Sequence, residues 1–157
     1  MKKIELRGKI GKGKFTLVDD SDFEWLNQFK WQSTQGYARR SWKENGKTKN
    51  LSMHREIIKP LIGEQVDHIN GNKLDNRREN LRICTSQGNN RNANTKRGIS
   101  GYKGVHWYKR DQRWVAFLTI DDKHKYLGYF DDPKEAAKAY NEGAKKYFGE
   151  FAKLNQL

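Results

Sequence analysis

Cysteine is nearly missing from this chain: among 157 residues there is one, Cys84. A lone thiol excludes a disulfide framework and any zinc site built on cysteines, and it suits a reducing cytoplasm. Long apolar runs are missing as well. No window approaches the roughly eighteen apolar residues that a transmembrane helix needs, so no membrane role is expected. The opening MKKIELRGKIGKGK has two early lysines with no apolar stretch behind them, and it does not read as a signal peptide.

Charge, by contrast, is abundant and unbalanced. There are 32 Lys+Arg against 19 Asp+Glu, a net charge of +13, and the pI is about 9.8. Residues 1–92 carry 19 basic against 11 acidic side chains, and residues 93–157 carry 13 against 8. No single basic tail explains the excess, so a polyanionic partner is expected along the whole chain. The length allows one domain or two small ones with thin cores.

Residues 1–60 read as short strands with turn signals. Phe15 to Val18 is a strand candidate, and Phe23 to Phe29 is either a short helix or an irregular apolar stretch. Tyr37–Lys43 and Thr48–His54 flank Glu44-Asn45-Gly46-Lys47. Asn-Gly between two such runs predicts a hairpin, because a type I′ turn needs positive φ at both central residues. Arg39, Arg40 and Lys43, with Tyr37 and Trp42, offer this hairpin's phosphate contacts and aromatic surfaces. His54 and Arg55 follow as a structural or DNA-contacting pair at a strand end.

The most informative stretch is Val66 to Arg82, V-D-H-I-N-G-N-K-L-D-N-R-R-E-N-L-R. It sets Asp67 directly before His68, places Asn80 in a Glu-Asn-Leu context, and is followed by Asn89 and Asn90. A carboxylate and an amide can hold a hard divalent cation, and an imidazole beside them can activate water. These are the parts of metal-assisted phosphodiester hydrolysis. Arg77, Arg78, Arg82 and Arg91 are candidates for backbone phosphates. Asp67 and His68 are expected at the end of a short strand, before a turn around Asn70-Gly71-Asn72. The chain then returns to Arg82, and a helix capped by Thr85 or Ser86 carries Asn89. One geometric demand follows. Neighbours in a strand point to opposite faces, so Asp67 and His68 share a site only where the strand ends or bulges.

These residues, D-H-I-N-G-N-K-L-D-N-R-R-E-N-L-R followed by S-Q-G-N-N-R-N, resemble the HNH (His-Me finger) endonucleases. The resemblance implies a ββα-metal fold with His68 as general base and Asp67 as a metal ligand. It makes Asn80 the brace of the finger loop and Asn89, or else Asn90, the second ligand of Mg²⁺ or Mn²⁺. The third letter of the family name is Asn here, a variant that changes a ligand and leaves the chemistry possible.

The segment from Asn89 to Ser100 is polar and basic, and its later part reads as a linker. Lys96 and Arg97 there could lie along DNA. Beyond it, Tyr102–Tyr108, Arg113–Ile120 and Lys125–Phe130 predict three antiparallel strands. Asp132-Pro133-Lys134-Glu135 supplies an N-cap, a first-turn proline and an acidic N3. Ala136, Tyr140, Tyr147 and Phe148 follow at helical spacing, and Gly149 is a natural stop. Alternation puts Arg113, Val115, Phe117 and Thr119 on one face, with Trp114, Ala116, Leu118 and Ile120 toward the helix.

Y-K-G-V-H-W, R-W-V-A-F-L, Y-L-G-Y-F and D-P-K-E-A-A-K-A-Y-N resemble the AP2 (ERF-type) DNA-binding domain. By position, the resemblance puts DNA-reading residues at Lys103, His106, Tyr108, Phe117, Thr119, His124 and Tyr126, with Arg113 and Lys125 as basic support. Several of these are Arg or Trp in the plant regulators, so their target sequence does not carry over.

The expectation is therefore an α+β protein in two parts. Residues 1–92 form a ββα-metal (His-Me finger) nuclease domain with a β-rich DNA-contacting region, and 93–100 a basic linker. Residues 101–157 form a three-stranded antiparallel sheet packed on one helix. Its substrate is double-stranded DNA, with no small-molecule substrate, acting in the cytoplasm of a bacterial or phage-infected cell. Pairings of this kind resemble mobile, homing-type endonucleases of phages and bacteria. The rival is a non-catalytic, sequence-specific DNA-binding regulator, and a structured-RNA binder stands third.

Overall fold

The computed structural model describes residues 1–85, 88, 89, 92 and 98–157. The chain divides into two units, Met1–Asn89 and Asn90–Leu157. Most of the expected linker, residues 93–97, lies outside the described residues, as do Asn90 and Arg91.

The first unit opens with β1 (Lys2–Glu5) paired antiparallel to β2 (Phe15–Val18). Three of the four β1 residues are charged, so the sequence carries no strand signal there. What recruits it is Ile4, the one residue of β1 that enters the core. Next comes α1 (Asp20–Leu26), whose first turn carries Asp20 and Asp22 where the helix dipole favours negative charge. The sheet that follows has the order β3-β4-β5, from β3 (Gln32–Thr34), β4 (Tyr37–Glu44) and β5 (Lys47–Ser52). Asn45 and Gly46 have φ of 49° and 73°, the two positive values that an Asn-Gly hairpin turn requires.

The second strand of that hairpin was expected to run through His54. Instead it ends at Ser52, and α2 (Met53–Ile58) begins. The reason is periodicity: Met53 and Ile57 are both buried, one helical turn apart. His54 is thus a first-turn helix residue. The finger itself is β6 (Gln65–His68) paired antiparallel with β7 (Leu81–Cys84), with Asp67 opposite Arg82 and His68 opposite Leu81. A 3-10 turn over Arg78–Asn80 leads into β7. Residues 74–76 between the strands are held by β2. Leu17 N donates to the Leu74 carbonyl and Asn76 N donates to the Leu17 carbonyl, both at 2.8 Å. Trp31, Leu6, Leu26, Val18 and Met53 are the large core side chains of this unit. Residues 88, 89 and 92 are helical. Thr85 starts this turn, its Oγ1 accepting from Gly88 N at 3.2 Å and its carbonyl from Asn89 N at 3.0 Å.

The second unit is a sheet of order β10-β9-β8, built from β8 (Val105–Tyr108), β9 (Arg113–Ile120) and β10 (Lys123–Phe130), against α3 (Pro133–Phe148). The cap on α3 is the expected one: Asp132 Oδ1 accepts from Lys134 N at 2.8 Å. Gly149 ends the helix at φ 52°. Trp114, Ala116, Leu118 and Ile120 all pack toward the α3 stripe of Ala136, Ala137, Tyr140, Ala144 and Phe148. β10 starts two residues earlier than expected because Asp121 and Asp122 adopt φ of 48° and 60° and close a two-residue hairpin.

Candidate active site

His68 is the last residue of β6, still in register with Leu81, so it and Asp67 leave the strand on opposite faces. The loop that follows is built from asparagines. Asn70 Oδ1 accepts from Asn72 N, and Asn72 Oδ1 from Leu74 N, the side-chain turns that suit Asn to a tight connection. Asn80 closes this loop across its waist. Its Oδ1 accepts from Asn70 N at 3.0 Å and its Nδ2 donates to the Asp75 carbonyl at 2.8 Å. Asp75 completes the frame, accepting from Asn70 Nδ2 and from both Nε and Nη2 of Arg77. The Arg77 guanidinium holds the Asp75 carboxyl below its ordinary range.

The side chain of His68 is 96% shielded, since its relative exposure is 4%. Its Nε2 stands 3.3 Å from Asn76 Oδ1, and its ring packs at 5.1 Å against His54 and 5.9 Å against Tyr37. Burial lowers its pKa, opposed by the Asn76 hydrogen bond and the Asp67 and Asp75 charges. Neutral imidazole, the form that accepts a proton, is therefore favoured. His54 is driven further, to about 3, by burial and then by the neighbouring His68. Its Nδ1 is buried with no hydrogen-bond partner among the described residues. The reading of His54 as a DNA contact is corrected: the helix that begins at Met53 turns it inward, against Tyr37 and His68.

Asp67 faces the other side of the hairpin. Its Oδ2 accepts from Arg82 Nε at 3.0 Å and Nη2 at 2.7 Å, and both side chains are largely buried. Gln65 lies on the same face, and its Oε1 accepts from Asn89 Nδ2 at 2.8 Å. The hairpin thus gathers Asp67 and Asn89 on one face and keeps His68 on the opposite one, at the strand's last position. Among the described residues no group of three or more His, Cys, Asp or Glu could hold a metal. What this face offers is one carboxylate and one amide oxygen, a hard donor pair that fits Mg²⁺ or Mn²⁺ with water and phosphate as the remaining ligands.

The arginines read as phosphate contacts have other occupations. Arg77 pairs with Asp75 and Glu79, Arg78 with both oxygens of Asp22 at 2.8 Å, and Arg82 with Asp67. Arg78 ties the finger to α1, a link that joins residues 56 apart. Arg55 Nη1 donates to the Glu64 carbonyl. Arg39 bonds Ser52 Oγ, and Arg40 lies 3.8 Å over the Phe29 ring and 4.9 Å over Trp42, with Glu56 at 3.5 Å.

In the second unit, cross-strand pairing puts His106, Tyr108, Arg113, Phe117, Thr119, His124 and Tyr126 on the sheet face away from α3. His106 stacks on Phe117 at 4.8 Å, and His124 and Tyr126 lie 4.3 and 5.9 Å from the same ring. Lys125 is corrected. It pairs with Leu118, so it lies on the helix side of the sheet, where its Nζ sits 5.0 Å over Tyr147. Val115 is on the open face but buried there, opposite His106 and Tyr129. Main-chain atoms of Lys103 are pinned by Asn155. Two residues the sequence reading passed over, Asn76 and Thr16, are fully buried against this site. They are sixty positions apart, and no local pattern links them.

Comparison with known proteins bears on the same stretch. A family model described as HNH endonuclease matches residues 60–91. An uncharacterized HNH endonuclease of Acanthamoeba polyphaga mimivirus is 30% identical over 153 residues, covering 94% of this chain and 78% of that protein. Protein 3.8 of Escherichia phage T7 is 32% identical over 93 residues, 59% of this chain and 76% of that one. An AP2-like ethylene-responsive transcription factor of Arabidopsis thaliana is 41% identical over 56 residues, which is 36% of this chain and 12% of that protein. With the motif, the hairpin that carries it and a relative at 30% identity matched over 94% of this chain, the chain belongs to the HNH endonucleases and is a hydrolase that cuts DNA.

Proposed function

We propose that this chain is a metal-dependent endonuclease for double-stranded DNA in which His68 is the general base and Asp67 and Asn89 hold Mg²⁺ or Mn²⁺. Asn80 braces the finger loop, and the second unit is an AP2-like module that adds DNA affinity. The observation that carries the reading is His68 itself: an imidazole kept neutral by burial at the end of a strand whose loop is closed by Asn80. His68 takes a proton from water as the water oxygen bonds to phosphorus and the bond to the 3′ oxygen breaks. A bound cation supplies polarisation of the scissile phosphate and stabilises the departing oxygen. Arg82 neutralises Asp67 in the protein alone. A DNA phosphate is the natural alternative partner for that guanidinium, and its move would leave Asp67 to the cation.

The AP2-like role is supported by the strand order, by the helix-backed sheet and by the aromatic and imidazole side chains on its open face. β-sheet readers place such a face in a DNA groove. Arg–guanine pairs are scarce on it, which favours shape and stacking over direct base readout. Two of the matched relatives, those that cover more than half of this chain, come from a mimivirus and a phage, and with one cysteine the chain suits the reducing interior of an infected cell.

The test is supercoiled plasmid incubated with Mg²⁺ or Mn²⁺ and, in parallel, with a chelator. Scission is expected only with metal, and His68→Ala should slow it roughly 10²- to 10⁴-fold, the range for a lost general base. If His68→Ala cuts as well as the parent, the base is another group. If the parent cuts no DNA under either metal, the non-catalytic regulator is the better description.

A further inference from the structure

The contact between His68 Nε2 and Asn76 Oδ1, 3.3 Å in length, settles nothing by itself. An amide can turn either its oxygen or its NH₂ to an imidazole, and a neutral imidazole can carry its proton on either nitrogen. Three further contacts remove that freedom. Thr16 Oγ1 lies 2.9 Å from the Leu74 carbonyl, a group that only accepts, so the single hydroxyl proton goes there. The other nearby acceptor, Met53 Sδ, is at 3.8 Å and far weaker. With its proton so used, Thr16 Oγ1 meets the Asn76 amide as an acceptor, which makes the atom 2.7 Å away Nδ2. The opposite end of that amide, turned to His68, is then Oδ1. Only an N–H can meet it.

We propose that Thr16 and Asn76 are positioning residues that hold His68 in its Nε2–H tautomer, so that the proton-accepting lone pair is on Nδ1. The relay runs Leu74 carbonyl, Thr16 hydroxyl, Asn76 amide, His68 ring, and each link fixes the direction of the next. It is rigid because its backbone is pinned as well: Leu17 N and Asn76 N donate across β2 and the finger loop at 2.8 Å. It is dry because Thr16 and Asn76 are both 0% exposed, leaving no water to stand in for a missing partner. The arrangement also survives the reaction. When Nδ1 gains a proton, the existing Nε2–H···Oδ1 bond becomes charge-assisted and strengthens, and nothing in the relay has to turn. The opposite tautomer would set the Nε2 lone pair against the lone pairs of Oδ1.

The inference rests on His68 being the base, and it is tested by a readout independent of cleavage. Long-range ¹H–¹⁵N correlation spectra of the full chain at neutral pH, without DNA or metal, report which nitrogen of His68 bears the proton. The parent is expected to show Nε2–H. Thr16→Val lets the amide rotate and present Nδ2 to the ring, so the proton should move toward Nδ1. Single-turnover cleavage should then fall roughly 10- to 100-fold at unchanged DNA affinity, the scale of a lost positioning partner. Thr16→Ser keeps the hydroxyl and should keep both tautomer and rate. Asn76→Leu removes the acceptor and should yield mixed tautomers; if either variant fails to fold, the parent and Thr16→Ser spectra still decide. A parent protonated on Nδ1, or a folded Thr16→Val with unchanged tautomer and rate, overturns the relay. A parent with Nε2–H whose His68→Ala variant still cuts supports the relay and overturns the base reading instead.

Discussion

A single imidazole needs a great deal of surrounding structure to be useful, and this chain gives His68 three kinds. Burial keeps it neutral, Asn76 holds its ring, and Asn80 closes the loop it begins. His54 and Tyr37 pack the remaining side. Such packing has a pH cost. The folded pKa of His54 is about 3 against an ordinary 6.5, and that of His68 is lowered too. The unfolded chain therefore binds protons that the native state refuses. Stability from these two groups is complete above about pH 6.5 and declines as pH falls, by up to about 1.4 kcal/mol per unit for each fully neutral buried histidine. Urea unfolding of the parent between pH 7.5 and 5 should show that decline, and His54→Leu should make it shallower. A parent whose urea midpoint does not change over this range contradicts the burial of neutral imidazoles.

Elements differ in how plainly the sequence announces them. The Asn45-Gly46 hairpin and the Asp132 cap are legible because each depends on residues adjacent in the chain. The candidates Asp67, His68 and Asn80 are legible for a related reason: a two-stranded hairpin brings them into one short stretch of the chain. β1 is not legible, since one buried isoleucine among charged residues makes no pattern until β2 lies beside it. Nor is the Thr16–Asn76 contact, which exists only once β2 meets the finger loop. His54 misleads for the same reason, because its helix is selected by the tertiary burial of Met53 and Ile57. Gly104 misleads in another way: the sequence sets it inside a strand from Tyr102, whereas β8 begins only at Val105 and Gly104 lies in the turn before it. It sits at φ 72°, and an added Cβ would lie 2.1 Å from Tyr140 Cδ2 and 2.8 Å from the Phe117 carbonyl. A left-handed φ costs about 1–2 kcal/mol and an overpacked core about 1–3 kcal/mol more. A unit of this size has little more than that to lose. Gly104→Ala should therefore unfold the second unit at moderate temperature, read by the loss of its Trp107 and Trp114 near-ultraviolet signal. A melting temperature within a few degrees of the parent's would mean that Tyr140 can swing aside at little cost.

At the scale of the whole molecule, both halves of a chain of net charge +13 carry excess cations, yet they use them differently. In the first unit the finger arginines are spent on Asp22, Asp67, Asp75 and Glu79. In the second, the open sheet face presents rings, with Arg113 paired to Asp131 at its edge. Phosphate contacts and ring contacts leave separate signatures. Affinity held by cations falls steeply with salt, by about 0.9 in the logarithmic slope for each phosphate neutralised, whereas ring contacts are nearly insensitive to salt. Replacing His124 and Tyr126 together by alanine should therefore weaken DNA binding roughly tenfold, the size of one good base contact, with little change in the salt slope. On the proposed reading, in which the second unit raises the local concentration of the nuclease unit at DNA, turnover at saturating DNA should stay at the parent's level while the concentration needed for half-maximal cutting rises. Unchanged binding in this double variant would mean that DNA does not lie on that face. A fall in turnover at saturating DNA would mean that the second unit shapes the chemistry as well as the affinity.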